Sequence, residues 1–167
     1  MIFDTKHLLL IVLLMHAIEL FSQEEEPDDL APPPIKKLVE EEKKQIDSAE
    51  NIKKKVELSL TLLEARLKLS EQATAEQNYR KALDYLGKYQ ALVEYMIQLF
   101  DQEKKQDRRF FSSIKNFEIA LRRQTPRLEL IRRDMPFRYA WHVQRLIRFV
   151  REARSKTLEP MLIDATG

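Results

Sequence analysis

Apolar side chains recur along most of the chain at steps of three, four and seven residues, which is the spacing of one face of an α-helix. The first stripe begins after the prolines at 32–34 and comprises Val39, Ile46, Ala49, Val56, Leu60, Leu63 and Leu67. Its length predicts one continuous helix of about 36 residues, which would be about 54 Å long at 1.5 Å per residue. A helix of that length is compatible with a homo-oligomer.

A second segment carries two apolar stripes rather than one. The first of these comprises Tyr79, Leu83, Leu86, Val93, Ile97 and Phe100, and the other comprises Tyr85, Tyr89, Leu92, Met96 and Leu99. Because two stripes make a wide apolar surface, we expect this helix to lie between neighbours. Thr74 and Gln77 predict a capping box at its start, and we expect the helix to continue through Gly87.

Two alternatives are open for the polar residues 101–109, DQEKKQDRR. The interval from Phe100 to Phe111 is eleven residues, close to three helical turns, so one continuous helix would keep its apolar face in phase. A turn is the other alternative, because the stretch has no apolar residue to bury. The sequence alone does not decide between them.

Two proline sites predict boundaries further along the chain. Thr125 followed by Pro126 predicts a fresh helix start or a kink, since proline lacks a backbone N–H and favours the first helical turn. Asp134-Met135-Pro136 predicts a second boundary. The last helix is predicted to run from Pro136 to about Lys156.

Glycine and proline are nearly absent from the middle of the chain. Residues 35–125 contain no proline and a single glycine, Gly87. Strands need turns, and turns draw on those two residue types, so the composition predicts an all-α fold. We expect an elongated helical bundle, or an antiparallel coiled-coil hairpin, of three to four helices over residues 35–160, followed by a flexible tail at 161–167.

The N-terminus has the layout of a secretory signal peptide. Its apolar run, LLLIVLLM at 8–15, is interrupted by Glu19 well before the roughly 20 apolar residues that span a membrane. We predict a signal peptide at 1–22, an acidic, proline-rich linker at 23–34 that does not pack, and hence a secreted or periplasmic protein. A retained N-terminal anchor is the alternative, favoured by an aspartate in the leader and by the absence of an A-x-A cleavage motif.

Charge is divided unequally between the two halves of the chain. Residues 24–103 contain 12 Lys and Arg against 18 Asp and Glu, whereas residues 104–160 contain 16 against 6. Most cations of the second part are arginines, whose planar guanidinium suits bidentate pairing with carboxylate or phosphate. The excess is predicted either to pair with the acidic first helix of the same molecule or to bind an external anion.

The predicted partner-binding surface lies on the last helix, around the only tryptophan of the chain. At about 100° per residue, one side of that helix carries Arg138, Arg145, Arg148 and Glu152 with Trp141 among them, opposite an apolar face. In one interpretation Trp141 covers a neighbouring helix and Arg145 stacks over it. In the other these residues form a contact site, since Trp and Arg are enriched at interface hot spots.

A second group of arginines is a candidate anion-binding track. It consists of Arg122, Arg123, Arg127, Arg132 and Arg133. The predicted partner is an acidic protein or another anionic surface, and a basic helix with a tryptophan is compatible with peripheral contact to a membrane. Nucleic acid is disfavoured, because the leader directs the chain out of the cytoplasm and the helix-turn-helix, zinc-finger and RNP patterns are absent.

Motifs for catalysis are largely missing. The chain has no cysteine and three histidines, so it offers no thiol nucleophile and no histidine-rich metal site, and we expect neither a metal nor a cofactor. A carboxylate-dependent hydrolytic or lytic enzyme acting outside the cytoplasm is the alternative, with Glu94 as its candidate residue. A pocket lined by Glu94 and unpaired arginines would support it. We expect instead an exported helical binding or scaffold protein that contacts an anionic partner through its arginine-rich, tryptophan-containing C-terminal surface.

Overall fold

The computed structural model describes residues 29–103 and 107–164, with side chains as far as Leu158. The predicted signal peptide at 1–22 and the linker as far as residue 28 lie outside the described residues. Every described helix belongs to one compact unit that begins at Ala31.

Each regular element of the described chain is an α-helix, and there are five. They are α1 (Glu40–Asp47), α2 (Ile52–Ala75), α3 (Tyr79–Gln102), α4 (Arg108–Asp134) and α5 (Phe137–Asp164). The predicted all-α class is therefore confirmed, but the predicted number of three to four helices is wrong for the described residues. The flexible tail predicted from residue 161 is helical as far as Asp164, since Thr157 and Ala153 hold the preceding turns against the core.

The first apolar stripe belongs to two helices, not one. Asn51 caps α2, because its side-chain oxygen accepts a hydrogen bond from the backbone N–H of Lys54 at 3.1 Å. Ser48 follows α1 and donates its hydroxyl hydrogen to the carbonyl oxygen of Gln45 at 3.1 Å. Short polar side chains compete for backbone groups in this way and favour helix ends. The predicted continuous first helix is therefore wrong.

Side-chain contacts hold the short helix α1 against its neighbours. Ile46 is fully buried in the common core. Glu42 pairs with Arg66 of α2, and Asp47 accepts a hydrogen bond from the hydroxyl of Tyr95 on α3. The break before α2 thus changes the direction of the chain without releasing α1 from the fold.

An asparagine also caps the start of α3. Gln77 has a left-handed backbone with φ 58°, and the side chain of Asn78 accepts a hydrogen bond from the backbone N–H of Lys81 at 3.3 Å. Thr74 instead lies inside α2 and donates to the carbonyl oxygen of Ser70 at 2.8 Å. Because the hydroxyl of Thr74 is used within its own helix, the predicted capping box is wrong.

The structure excludes one continuous helix through residues 101–109, which was one of the two alternatives. α3 ends at Gln102, and α4 begins after Asp107. The carboxylate of Asp107 accepts hydrogen bonds from the backbone N–H groups of Arg109 and Phe110 at 2.9 and 3.0 Å. This cap satisfies two donors that a helix start would otherwise leave unpaired.

Pro126 does not start a new helix. It lies inside α4, which continues through it, and Thr125 donates its hydroxyl hydrogen to the carbonyl oxygen of Leu121 at 2.9 Å. The predicted fresh start is wrong because the loss of one backbone hydrogen bond is offset by the packing of α4 on both sides of the proline. The second predicted boundary is confirmed, since α4 ends at Asp134 and α5 begins at Phe137.

The four long helices share one apolar core. α2 packs against α3 and α4, and α5 packs against the same two helices. α3 and α5 run in the same direction, because the rings of Tyr79 and Tyr139 near their starts are 5.5 Å apart and Lys156 pairs with Asp101 further along at 3.0 Å. The largest fully buried side chains are Tyr89, Phe110 and Phe117.

Residues 31–36, which we term the N-terminal segment, contact α3 and α5. Ala31 is 2% exposed. Its N–H donates to the carbonyl oxygen of Arg138 at 3.1 Å, and its carbonyl oxygen accepts from Nε2 of His142 at 2.6 Å. The prediction that the linker does not pack is therefore wrong from Ala31 onwards, because an extended chain offers backbone groups that neighbouring helices can bind.

Three residues of α3 at seven-residue intervals receive the N-terminal segment. Arg80 donates to the carbonyl of its first proline at 2.9 Å, and Lys36 lies 3.8 Å from the carboxylate of Glu94. Between them, a Cβ atom on Gly87 would lie 2.4 Å from the carbonyl oxygen of Ile35. The helix continues through Gly87 as expected, and glycine is required there because the backbone of the segment approaches so closely.

Replacing Gly87 with alanine should release the N-terminal segment while leaving α3 intact. Alanine is the better helix former by about 1 kcal/mol, but its Cβ cannot coexist with the present position of Ile35. We expect the rate of tryptic cleavage at Lys36 to rise about tenfold, which corresponds to about 1.4 kcal/mol, with unchanged helical circular dichroism. Lys88→Ala is the control, because Lys88 is the next residue of α3 and contacts the ring of Tyr85 on the same helix. Equal cleavage of Gly87→Ala and the wild type would contradict the packing described.

Candidate anion-binding surface

The four residues predicted to bind a partner lie on the outer side of α5. Arg138, Arg145 and Arg148 are exposed, and Trp141 is half-buried. Steps of three and four residues place them on one side of the helix. The opposite side enters the core through Val143, Leu146, Ile147 and Val150.

The indole of Trp141 has an unusual environment. Its Nε1–H is shielded from solvent and has no hydrogen-bond acceptor in the described part of the chain. A buried donor in this condition costs about 1–3 kcal/mol, and such groups are rare in folded proteins. A guanidinium does lie over a ring on α5, but the contact joins Arg138 to Tyr139 at 5.7 Å from the centroid. The stacking of Arg145 over Trp141 stays a prediction.

Phe137 belongs to the same surface, although the sequence interpretation did not select it. It is the first residue of α5 and is 66% exposed. It precedes Trp141 by four residues, so the two side chains lie on the same side of the helix. At 100° per residue, the side of the helix that carries Trp141 and the arginines also contains Phe137, about one turn before Trp141. We term this surface the α5 face, and it consists of Phe137, Arg138, Trp141, Arg145 and Arg148.

Three of the five arginines in the predicted anion-binding track form ion pairs within the molecule. The pairs are Arg122 with Glu118, Arg127 with Glu64 and Glu71, and Arg132 with Glu129. Arg123 and Arg133 are exposed and have no ion pair within the residues that the structure describes. Intramolecular pairing therefore accounts for part of the excess charge, and the five arginines do not form one uninterrupted anion site.

Glu118 is a buried carboxylate that joins two helices. At 2% exposure, it accepts hydrogen bonds from Arg122 of its own helix at 2.6 Å and from Arg154 of α5 at 2.9 Å. The hydrogen bond from Arg122 lowers the pKa of Glu118 most strongly, burial opposes it, and Arg154 lowers the pKa further. The charged carboxylate therefore fastens α4 to α5.

Arg127 connects α4 to α2. Its Nε and Nη2 donate to the two carboxylate oxygens of Glu71 at 2.6 and 2.7 Å, and its Nη1 donates to Glu64 at 2.6 Å. Glu64 also accepts from Gln124, whose amide oxygen accepts from the buried hydroxyl of Tyr89 at 2.8 Å. The hydrogen bond from Arg127 lowers the pKa of Glu64, and burial raises the pKa of Tyr89. One polar network thus joins three helices.

A groove of about 330 Å³ lies between α3 and α5 beside Glu94. Its lining contains no arginine, and its charged residues are Glu94, Asp101, Glu152 and Lys156. Glu94 accepts a hydrogen bond from Gln90 at 2.9 Å, and Lys156 pairs with Asp101. The groove therefore differs from the arginine-lined pocket that would support a carboxylate-dependent enzyme.

Comparisons with other proteins identify no relative. The chain matches no protein-family model, no curated protein and no solved structure. Its function has therefore to be inferred from the residues and contacts of the chain itself.

Acidification should weaken the fold through Glu118. A carboxyl group whose pKa is lower in the folded than in the unfolded chain stabilises the fold above the unfolded-state pKa, and this contribution disappears as pH falls through the folded-state value. Since the ordinary value is 4.5 and the pKa of Glu118 is lowered, the free energy of unfolding should decrease below that pH. Urea unfolding across an acid pH series measures this.

Glu118→Gln separates this effect from general acid sensitivity. The amide keeps the shape of the side chain but leaves Arg122 and Arg154 without a charged acceptor, so the variant should lose about 1–3 kcal/mol at neutral pH. Its stability should also fall less steeply than that of the wild type on acidification. Glu50→Gln, at an exposed position, is the control. An identical slope for Glu118→Gln and the wild type would exclude Glu118 as the titrating group.

Proposed function

We propose that the protein is an exported helical binding or scaffold protein that contacts a negatively charged partner through the α5 face. The observation that carries the proposal is the position of three exposed arginines around one half-buried indole, on the outer side of α5. Other arginines of both α4 and α5 bind glutamates of the same chain.

The chemistry of these side chains supports an anionic partner. Guanidinium groups present planar arrays of donors that match carboxylate, sulfate and phosphate oxygens. Trp and Arg are also the residue types that most often dominate the binding energy of protein interfaces. Oxygen acceptors on the partner would bind the arginines and, after rotation of the side chain towards the surface, the Nε1–H of Trp141.

A helical bundle and export are parts of the same proposal. The packing of α2 and α5 against both α3 and α4 supports a bundle, in which the buried side of α5 holds the α5 face in position. The apolar run at 8–15 and the acidic, proline-rich residues that follow the leader support delivery outside the cytoplasm.

Substitutions on the α5 face should weaken binding to a polyanion without unfolding the protein. We expect Trp141→Ala to reduce affinity for immobilised poly-L-glutamate by about 2 kcal/mol, or about 30-fold, because it removes the aromatic centre of the surface. Reversing Arg145 and Arg148 to glutamate should mainly slow association and reduce its dependence on salt. Surface plasmon resonance at two salt concentrations measures both effects.

The matched control reverses two lysines on another helix. Lys53 and Lys54 of α2 have 68% and 61% exposed side chains, so Lys53→Glu with Lys54→Glu changes the net charge equally. If both double variants lose binding to the same extent, the interaction is non-specific and the proposal fails. A loss of about 3–5 kcal/mol of stability in Trp141→Ala would show that the indole is a core residue instead.

A further inference from the structure

Exposed apolar side chains flank the turn between α4 and α5. Four large hydrophobic side chains are exposed among the described residues, and two of them are Leu130 at 52% and Phe137 at 66%. Leu130 lies four residues before the end of α4, and Phe137 is the first residue of α5. Both therefore stand at the same end of this helix pair, with exposed Pro136 between them. We term Leu130, Pro136 and Phe137 the α4–α5 tip.

Arginines border the tip on both helices. On α4, Arg123 and Arg133 lie seven residues before and three residues after Leu130, so they share its side of the helix. Both are exposed and lack an ion pair within the described part of the chain. On α5, Trp141 and Arg148 follow Phe137 at four and eleven residues and lie on its side. Arg133 and Trp141 are thus within about one turn of the exposed apolar side chains, and Arg123 and Arg148 lie about two and three turns away along the same sides of the helices.

We propose that the α4–α5 tip docks on an anionic lipid bilayer, with Leu130 and Phe137 in the interfacial region and the surrounding arginines on lipid phosphates. This inference rests on the proposed function, since it identifies the anionic partner of the α5 face as a lipid surface. Bilayer interfaces take up aromatic and aliphatic side chains together with Trp and Arg. A soluble polyanion would pair with the arginines of this surface but would leave its exposed apolar side chains in water.

The docking is peripheral, by side chains rather than by a whole helix. Within the part of the chain that is described, none of the helices has the length and the apolar character needed to cross a bilayer. The apolar sides of α4 and α5 are already occupied by the core, so neither helix can lie flat in the lipid on that side. Leu130 and Phe137 lie outside the core and can enter the interface while the helices stay packed.

The arginines also favour lipid over a second copy of the chain. A stable protein interface buries about 800 Å² on each partner, which is much more than two separated side chains provide. A symmetric contact through the tip would in addition bring the arginines of two copies together, and like charges across an interface are unfavourable. An anionic lipid surface accepts the same apolar side chains and neutralises the same cations.

The test is binding of the full chain to phosphatidylcholine vesicles with and without phosphatidylserine, by flotation and by the emission of Trp141. We expect binding and a blue shift on anionic vesicles only. Leu130→Ser with Phe137→Ser should reduce partitioning by at least about tenfold, because two apolar side chains are lost from the interface. Leu69→Ser, which alters another exposed leucine at 36% exposure on α2, should leave partitioning unchanged. The leader is identical in every variant, so it does not produce these differences.

Poly-L-glutamate binding separates this inference from the proposed function. The single variant Leu130→Ser, which alters a residue outside the α5 face, should keep its affinity for poly-L-glutamate, whereas reversal of Arg145 and Arg148 should weaken binding to both probes. The inference is overturned if Leu130→Ser with Phe137→Ser binds anionic vesicles like the wild type, or if the wild type binds vesicles without phosphatidylserine equally well. It is also overturned if this double variant abolishes a dimer in sedimentation equilibrium without changing vesicle binding. In each case a persistent effect of Arg145 and Arg148 on poly-L-glutamate would leave the proposed function standing.

Discussion

Ion pairs between arginines of α4 and α5 and glutamates of α2 and α4 are the interaction on which the rest of the structure depends. Glu118 is too deeply buried to stay charged without partners, and Arg122 and Arg154 supply them from α4 and α5. Arg127 of α4 likewise links its helix to α2, because it donates two hydrogen bonds to the carboxylate of Glu71. Removal of one member of such a set leaves a charge in a poorly solvated position, which costs more than the pair contributes.

These pairs also account for part of the charge asymmetry of the chain. The acidic first half and the basic second half attract each other within the fold, since Arg127 binds Glu64 and Glu71. Exposed arginines lie on the outer sides of α4 and α5, among them Arg123, Arg133 and those of the α5 face. Folding therefore converts a charge asymmetry along the sequence into a localised basic surface beside exposed apolar side chains.

The sequence was sufficient for features that depend on local pattern, and it failed where a contact joins distant residues. Apolar periodicity predicted the all-α class and the continuity of α3 through Gly87, and proline predicted the boundary before Phe137. The break at Asn51 was missed because a capping side chain does not disturb an apolar stripe. The packing of Ala31 and the pairing of Arg127 with Glu71 involve residues far apart in the chain, so no spacing rule reveals them. Leu130 and Phe137 look like core residues until their exposure is known.

Hydroxyl-radical footprinting of the full chain with anionic vesicles tests the central claim most directly, because it reports the accessibility of individual Trp, Phe and Leu side chains. The account predicts that vesicles containing phosphatidylserine slow the oxidation of Leu130, Phe137 and Trp141, while the oxidation of Leu69 on α2 stays the same. Protection of Leu69 without protection of Phe137 and Trp141 would contradict it, since the contact surface would then lie away from the arginine-rich helices.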